Sequence, residues 1–162
     1  MFMNSYLSFA AAIRERESNN DYTIKNQYNY LGAYQFGMAR LCDFNLAERI
    51  DKESVSCSNK YFKFITPLTE EKFLNSETIQ DIVFYWHVIE YKELIELRDK
   101  EHLNSLHAKS NCFIDMSGCI AVCHLLGYGG LLKLLYKGWD DADGNGTLAS
   151  DYMKKFNGYD LS

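Results

Sequence analysis

A carboxylate and an amide in the first part of the chain stand where they could do chemistry together. Glu17 follows Ile13 by one helical turn, so it continues the apolar face of Tyr6, Phe9, Ala10 and Ile13. A carboxyl at the margin of an apolar face is partly desolvated, which raises its pKa and suits it to donate a proton near neutrality. The alternative is a helix-end Glu in solvent, paired with Arg14. Ser18, next in the chain, has a hydroxyl that could orient Glu17. A polar turn (Asn19, Asn20, Asp21) leads on to Tyr30-Leu31-Gly32-Ala33-Tyr34-Gln35-Phe36-Gly37. The Gln35 amide has a donor and an acceptor for hydroxyl and acetamido groups. Tyr30 and Tyr34 offer faces that stack on planar or sugar rings. Gly32 and Gly37 permit turns or the close approach of a ligand. The alternative for this stretch is a β-hairpin whose Gln is merely exposed.

These side chains need elements to hold them. Residues 4–17 read as an amphipathic helix capped by Asn4 or Ser5, with Arg14, Glu15 and Arg16 in solvent. Residues 30–36 have strand character, with Tyr30, Tyr34 and Phe36 alternating against Gly32 and Gln35. A helix is expected over 38–50, a loop over 51–60, and a short extended or irregular piece over 61–65. Thr66-Pro67 reads as a helix start, with Pro in the first turn of a short helix over 67–75. Ser76 then caps one long helix, or two in line, over residues 77 to about 100, with the stripe Ile79, Ile82, Val83, Trp86, Ile89, Leu94 and Leu97. His87 sits at its core edge. Residues 104–114 read as loop, and Asp115 or Ser117 as the cap of a helix over 118–126. Gly127-Tyr128-Gly129-Gly130 breaks that helix, and a further one over 131–137 stops at Gly138. Thr147 is expected to cap a last short helix.

Glu17-Ser18 at a helix end, followed by Gly32-x-x-Gln35-Phe36, resembles the catalytic core of lysozyme-like peptidoglycan glycosidases, the lytic transglycosylases above all. The likeness touches the middle of the chain weakly, at Phe73-Leu74 and Gln80. It returns in the pattern Ser117-Gly118 to Leu131 and in the tail Asp141 to Thr147, Tyr152, Phe156 and Gly158-Tyr159-Asp160. Those stretches are similar to phage-like and secretion-system-associated relatives. His124 departs from the transglycosylase pattern, so the resemblance assigns His124 and Gly127 to a cleft wall and no more.

The resemblance implies a mainly α (α+β) lysozyme-like domain over residues 1–162, with a small β element near residues 28–36. It implies cleavage of the β-1,4 bond between N-acetylmuramic acid and N-acetylglucosamine in peptidoglycan glycan strands. Glu17 would be the general acid, and Ser18, Tyr30, Gly32, Tyr34, Gln35 and His124 would face the substrate. A hydrolase generally needs a second carboxylate. Asp21 and Asp43 are near in sequence but fixed by no motif, which favours lytic transglycosylation over a hydrolysing muramidase. The rival readings are a non-catalytic wall-binding or protein-interaction module and a helical partner-binding protein.

Composition bounds the rest. The chain has 162 residues, net charge -5 and no basic cluster, which argues against nucleic acid as a partner. The N-terminus lacks the basic and apolar regions of a secretory signal, and no stretch reads as a membrane span. The protein is therefore expected to be made in the cytoplasm. It would reach the periplasm or cell wall by non-classical export, phage lysis or a secretion apparatus, with an immunity-type inhibitor as a further partner. Five irregularly spaced cysteines fit reduced thiols rather than a disulfide framework. Asp141, Asp143, Asn145 and Gly146 begin like an EF-hand loop, but Tyr152 stands where the bidentate Glu belongs. Cys119, Cys123 and His124 lack a fourth zinc ligand. No metal and no cofactor are expected.

Overall fold

The computed structural model describes residues 5–99, 101, 103 and 114–161. The chain is mainly helical with one small antiparallel sheet: α1 Tyr6–Ser18, α2 Met38–Asp43, β1 Ala47–Arg49, β2 Phe62–Phe64, α3 Glu70–Leu74, α4 Glu77–Arg98, α5 Met116–Leu132 and α6 Ala149–Phe156. That is the expected fold class. The chain forms two compact units, Ile13–Tyr85 and Met1–Ala12 with Trp86–Ser162. The expected 104–114 loop lies outside the described residues except for Ile114.

In the Ile13–Tyr85 unit, Ile13, Leu31, Tyr34, Leu41, Phe73 and Phe84 are fully buried. Tyr34 and Phe84 stack at 4.1 Å with rings 8° from parallel. The sheet pairs Ala47 with Phe64 and Arg49 with Phe62. It replaces the second half of the helix expected over 38–50. Asn45, at φ 57, turns the chain just after α2. The expected β element near 28–36 takes the form of isolated bridges from Leu31 to Lys25 and to Phe36. Thr69, not Pro67, starts α3: its side chain accepts from Lys72 N, and the Thr66-Pro67 peptide is cis. Ser76 does cap α4, accepting from Ile79 N at 3.2 Å.

The buried face of α4 is not the expected stripe. Gln80, Val83, Phe84, His87, Val88, Tyr91 and Ile95 are inside, whereas Ile82, Trp86 and Leu97 are exposed. Of the expected stripe only Val83 is among the buried residues. The helix is phased by two polar residues that find partners within their own units, and apolar residues on the flank are left outside.

In the other unit Phe9, Ile120, Leu131, Tyr152 and Phe156 are buried, and Phe156 packs on Tyr152 at 4.7 Å and edge-on against Phe9 at 6.3 Å. Asp115 caps α5 by accepting from Gly118 N at 2.9 Å, and the Ser117 hydroxyl donates to Phe156 O at 2.7 Å. Gly118 has no room for a side chain, since a Cβ would lie 1.9 Å from Asn157 Oδ1. The expected break falls at Gly127, φ 72, and a π turn, Lys133–Lys137, ends at left-handed Gly138. Leu148 rather than Thr147 occupies the cap position of α6, and Asp140 accepts from Ser150 N in its first turn. Asp99 is a buried carboxylate that accepts from the hydroxyls of Tyr128, at 2.5 Å, and Tyr136. Burial and that bond push the Tyr128 hydroxyl up to about 12.

Against expectation, Met116–Lys137, at 22 residues, is long and apolar enough to cross a membrane, its most apolar 18 residues having mean hydropathy 1.6. Half of its most apolar window is buried within the protein, and core helices pass the same test.

Candidate functional site

Glu17 occupies the last turn of α1, half-buried, and the chain reverses directly after it through Asn19 and Asn20 at φ 54 and 62. Ser18 fixes this helix end. It is 8% exposed, and its hydroxyl lies 2.9 Å from Ala33 O and 3.2 Å from Arg14 O while accepting from Asp21 N at 3.1 Å. Those partners are backbone groups. Ser18 therefore acts on Glu17 by holding the helix end against the Gly32–Gln35 turn, not by touching the carboxylate.

The turn is closed by the Leu31–Phe36 pair, with N–H to O distances of 3.0 and 2.9 Å. Gln35 stands at φ 52, and both its backbone N–H (3.0 Å) and its side-chain Nε2 (2.8 Å) donate to Gly32 O. That geometry holds the amide in one orientation at a half-exposed position, leaving its oxygen as an acceptor for a hydroxyl or acetamido N–H. Tyr30 is 43% exposed and rests its ring edge over Gly37, so its aromatic surface is open to a ligand.

Two residues expected to face a substrate do not. Tyr34 is fully buried. Its hydroxyl donates to Asp81 Oδ1 at 2.7 Å and accepts from Arg14 Nη1 at 2.8 Å. It is a core residue, because its ring is stacked on Phe84 and its one polar atom is satisfied inside. Arg14, expected in solvent, is drawn into this cluster, and its guanidinium serves Tyr34, Asp81 and Asn20 rather than Glu17. Tyr22 also donates to Asp81, at 2.9 Å; burial and that bond push its hydroxyl up to about 12. Gly32 is buried too. A Cβ there would lie 2.0 Å from Gln80 Oε1, so the group that closely approaches this glycine is Gln80 and not a ligand.

Gln80 organises the unit. It is fully buried, accepting from Ala33 N (2.8 Å) and donating through Nε2 to Tyr22 O and Phe73 O, both 2.9 Å. One amide thus joins the loop after Glu17, the Gly32–Gln35 turn and the end of α3. No protein-family model matches the chain, and neither does any curated protein or solved structure.

The carboxylates near Glu17 in sequence are engaged locally. Asp21 accepts from Thr23 Oγ1 (2.7 Å) and N (2.8 Å), bonds that hold its carboxyl below the usual range. Asp43 is exposed and pairs with Arg40 at 3.2 Å. His124 belongs to the other unit, half-buried, with Nδ1 3.2 Å from His87 Nε2 and the rings edge to face. In the loop resembling an EF-hand, Asp143 accepts from Asn145 N and Thr147 N, and Asp141 pairs with Lys133 at 2.8 Å. Among the described residues no group of three or more His, Cys, Asp or Glu is placed to hold a metal. Cys119 and Cys123 are buried, and burial pushes the Cys119 thiol up to about 12.

Replacing Ser18 by Ala leaves the buried Ala33 carbonyl without its donor. The expected loss is about 1–3 kcal/mol of stability, read from the urea midpoint. An unchanged midpoint would show that the latch contributes nothing.

Proposed function

We propose that this protein is a peptidoglycan-cleaving glycosidase acting on the β-1,4 bond between N-acetylmuramic acid and N-acetylglucosamine, with Glu17 as the general acid. The observation that carries the reading is the latch from Ser18 to Ala33, which ties the helix end bearing Glu17 to the turn that presents Gln35. A proton donor and an oriented amide on one rigid support are what protonation of a glycosidic oxygen requires. Tyr30 supplies an open aromatic face.

The reaction we favour is lytic transglycosylation. Glu17 donates its proton to the leaving oxygen, and its carboxylate then takes the proton of the muramic acid 6-hydroxyl as that oxygen closes on the anomeric carbon. Asp21 and Asp43 are bound to their own neighbours, which supports a mechanism with one acid. The intramolecular hydroxyl has an effective-concentration advantage over water. Export by a non-classical route would bring the protein to this substrate.

Mass spectrometry of fragments released from purified sacculi tests the proposal. Anhydro-muramic ends, lighter than reducing ends by one water, are expected. Reducing ends with activity lost in Asp21→Asn or Asp43→Asn would replace it by a two-carboxylate muramidase, and release of no fragments would remove the glycosidase reading.

A further inference from the structure

Arg14 stands three residues before Glu17 on α1, a spacing at which helix side chains are neighbours. A guanidinium so placed can pair with the carboxylate and favour its charged form. A carboxylate held charged is a poor proton donor near neutrality. In the structure the guanidinium is engaged elsewhere. Its Nη1 donates to the Tyr34 hydroxyl at 2.8 Å and lies 3.4 Å from Asp81 Oδ1, and its Nε lies 3.4 Å from Asn20 Oδ1. The Tyr22 and Tyr34 rings hold it as well, with centroids 5.7 and 5.6 Å from its central carbon. Asp81, on α4, accepts through the same Oδ1 from the hydroxyls of Tyr34 at 2.7 Å and Tyr22 at 2.9 Å. The end of α1, the loop after Glu17 and the Gly32–Gln35 turn thus converge on one carboxylate oxygen. The Arg14 side chain is only 21% exposed, so water balances little of its charge, and the carboxylate that does so is Asp81.

The other charges around this helix end stand apart from the pair. Glu15 accepts from Asn20 Nδ2, and Asp21 accepts from Thr23. Arg16 adjoins Glu17, and Glu77, one turn before Asp81 on α4, lies near Tyr22. None of them is removed by a change at Arg14 or Asp81. The pair therefore decides whether an extra positive charge, no extra charge or an extra negative charge sits one helical turn from Glu17.

We propose that Asp81 is a positioning residue for Glu17 and acts through Arg14: it holds and neutralises the guanidinium, so that Glu17 is left able to keep and hand over a proton. Glu17's use as a proton donor rests on the glycosidase reading; the charge balance does not.

The test is a carboxyl-carbon NMR titration of the full chain labelled in Glu, with the Glu17 signal assigned by its loss in Glu17→Gln. Asp81→Asn keeps an acceptor for Tyr34 and Tyr22 and removes the charge, and is expected to move the Glu17 midpoint down by about half a pH unit. Arg14→Gln leaves Asp81 in place and is expected to move it up. The double variant Arg14→Gln/Asp81→Asn is expected to return it to near the wild-type value. Opposite signs and mutual rescue separate this role from a structural one, which would move both single variants alike. An unmoved midpoint in both single variants, or shifts of the same sign, overturns the proposal. Sacculus cleavage is scored separately. In Asp81→Asn the rate near neutrality is expected to fall about 3-fold, as the protonated fraction does, with the upper limb of the pH profile shifted downward. Opposite shifts in a protein that cleaves nothing sustain the charge balance and remove the glycosidase; wild-type cleavage with an unmoved Glu17 midpoint does the reverse.

Discussion

Glu17→Gln is expected to fold like the wild type and to solubilise sacculi at least ~100-fold more slowly, the scale of losing a general acid. The substitution keeps the length and planarity of the side chain and removes its ability to give and take a proton. Glu17 lies at the half-buried end of α1, while the turn-stabilising contacts are made by Ser18 and Gln80. Superimposable circular dichroism and a urea midpoint close to the wild type's would show that the fold is kept. Turbidity clearing of sacculi gives the rate. A folded variant that clears them at near wild-type speed would take the general-acid role away from Glu17. Glu15→Gln, two residues earlier and exposed, is the matched control.

Gln80→Leu should be the most damaging conservative-sized change in the Ile13–Tyr85 unit. It leaves Ala33 N–H, Tyr22 C=O and Phe73 C=O without the amide that now serves them. Phe73 C=O keeps Ser76 N as a donor at 3.3 Å, and the other two buried groups are each worth about 1–3 kcal/mol, so a loss of about 2–5 kcal/mol is expected. That is a large share of the roughly 5–15 kcal/mol of a whole protein. Ile82→Gln, two residues on and 44% exposed, should stay within about 0.5 kcal/mol. Urea denaturation of both variants makes the comparison. A Gln80→Leu loss below about 1 kcal/mol would mean that water takes over the amide's three bonds.

The elements with strong local signals were legible from the residues alone. The helix carrying Glu17, the long α4, the caps at Ser76 and Asp115, and the stops at Gly127 and Gly138 each follow from capping or glycine chemistry within a few positions. Of the sheet, β2 falls within the extended or irregular piece expected over 61–65, but β1 and the pairing were not legible. Its strands have three residues each, and Leu46 falls in helical phase with Cys42 and Met38, so only pairing across the intervening loop reveals it. The phase of α4 was hidden for a related reason. A Gln looks like a surface residue until its partners are known, and Gln80's partners lie on three separate segments. Tyr34 shows the same ambiguity at the site. An aromatic beside a glycine suits a cleft or a core equally, and its bond to Asp81, 47 positions away, puts it in the core.

The missing Cβ of Gly32 ties its fate to a residue far along the chain. Any larger side chain at 32 displaces the Gln80 amide, and loss of that amide leaves a space that a side chain at 32 could enter only with its backbone at φ 72. Inherited variation should therefore treat the two positions as one. In lineages that preserve this unit, Gly32 and Gln80 are expected to persist together or to be replaced together. A single change at either should survive only alongside a repaired bond to Ala33 N.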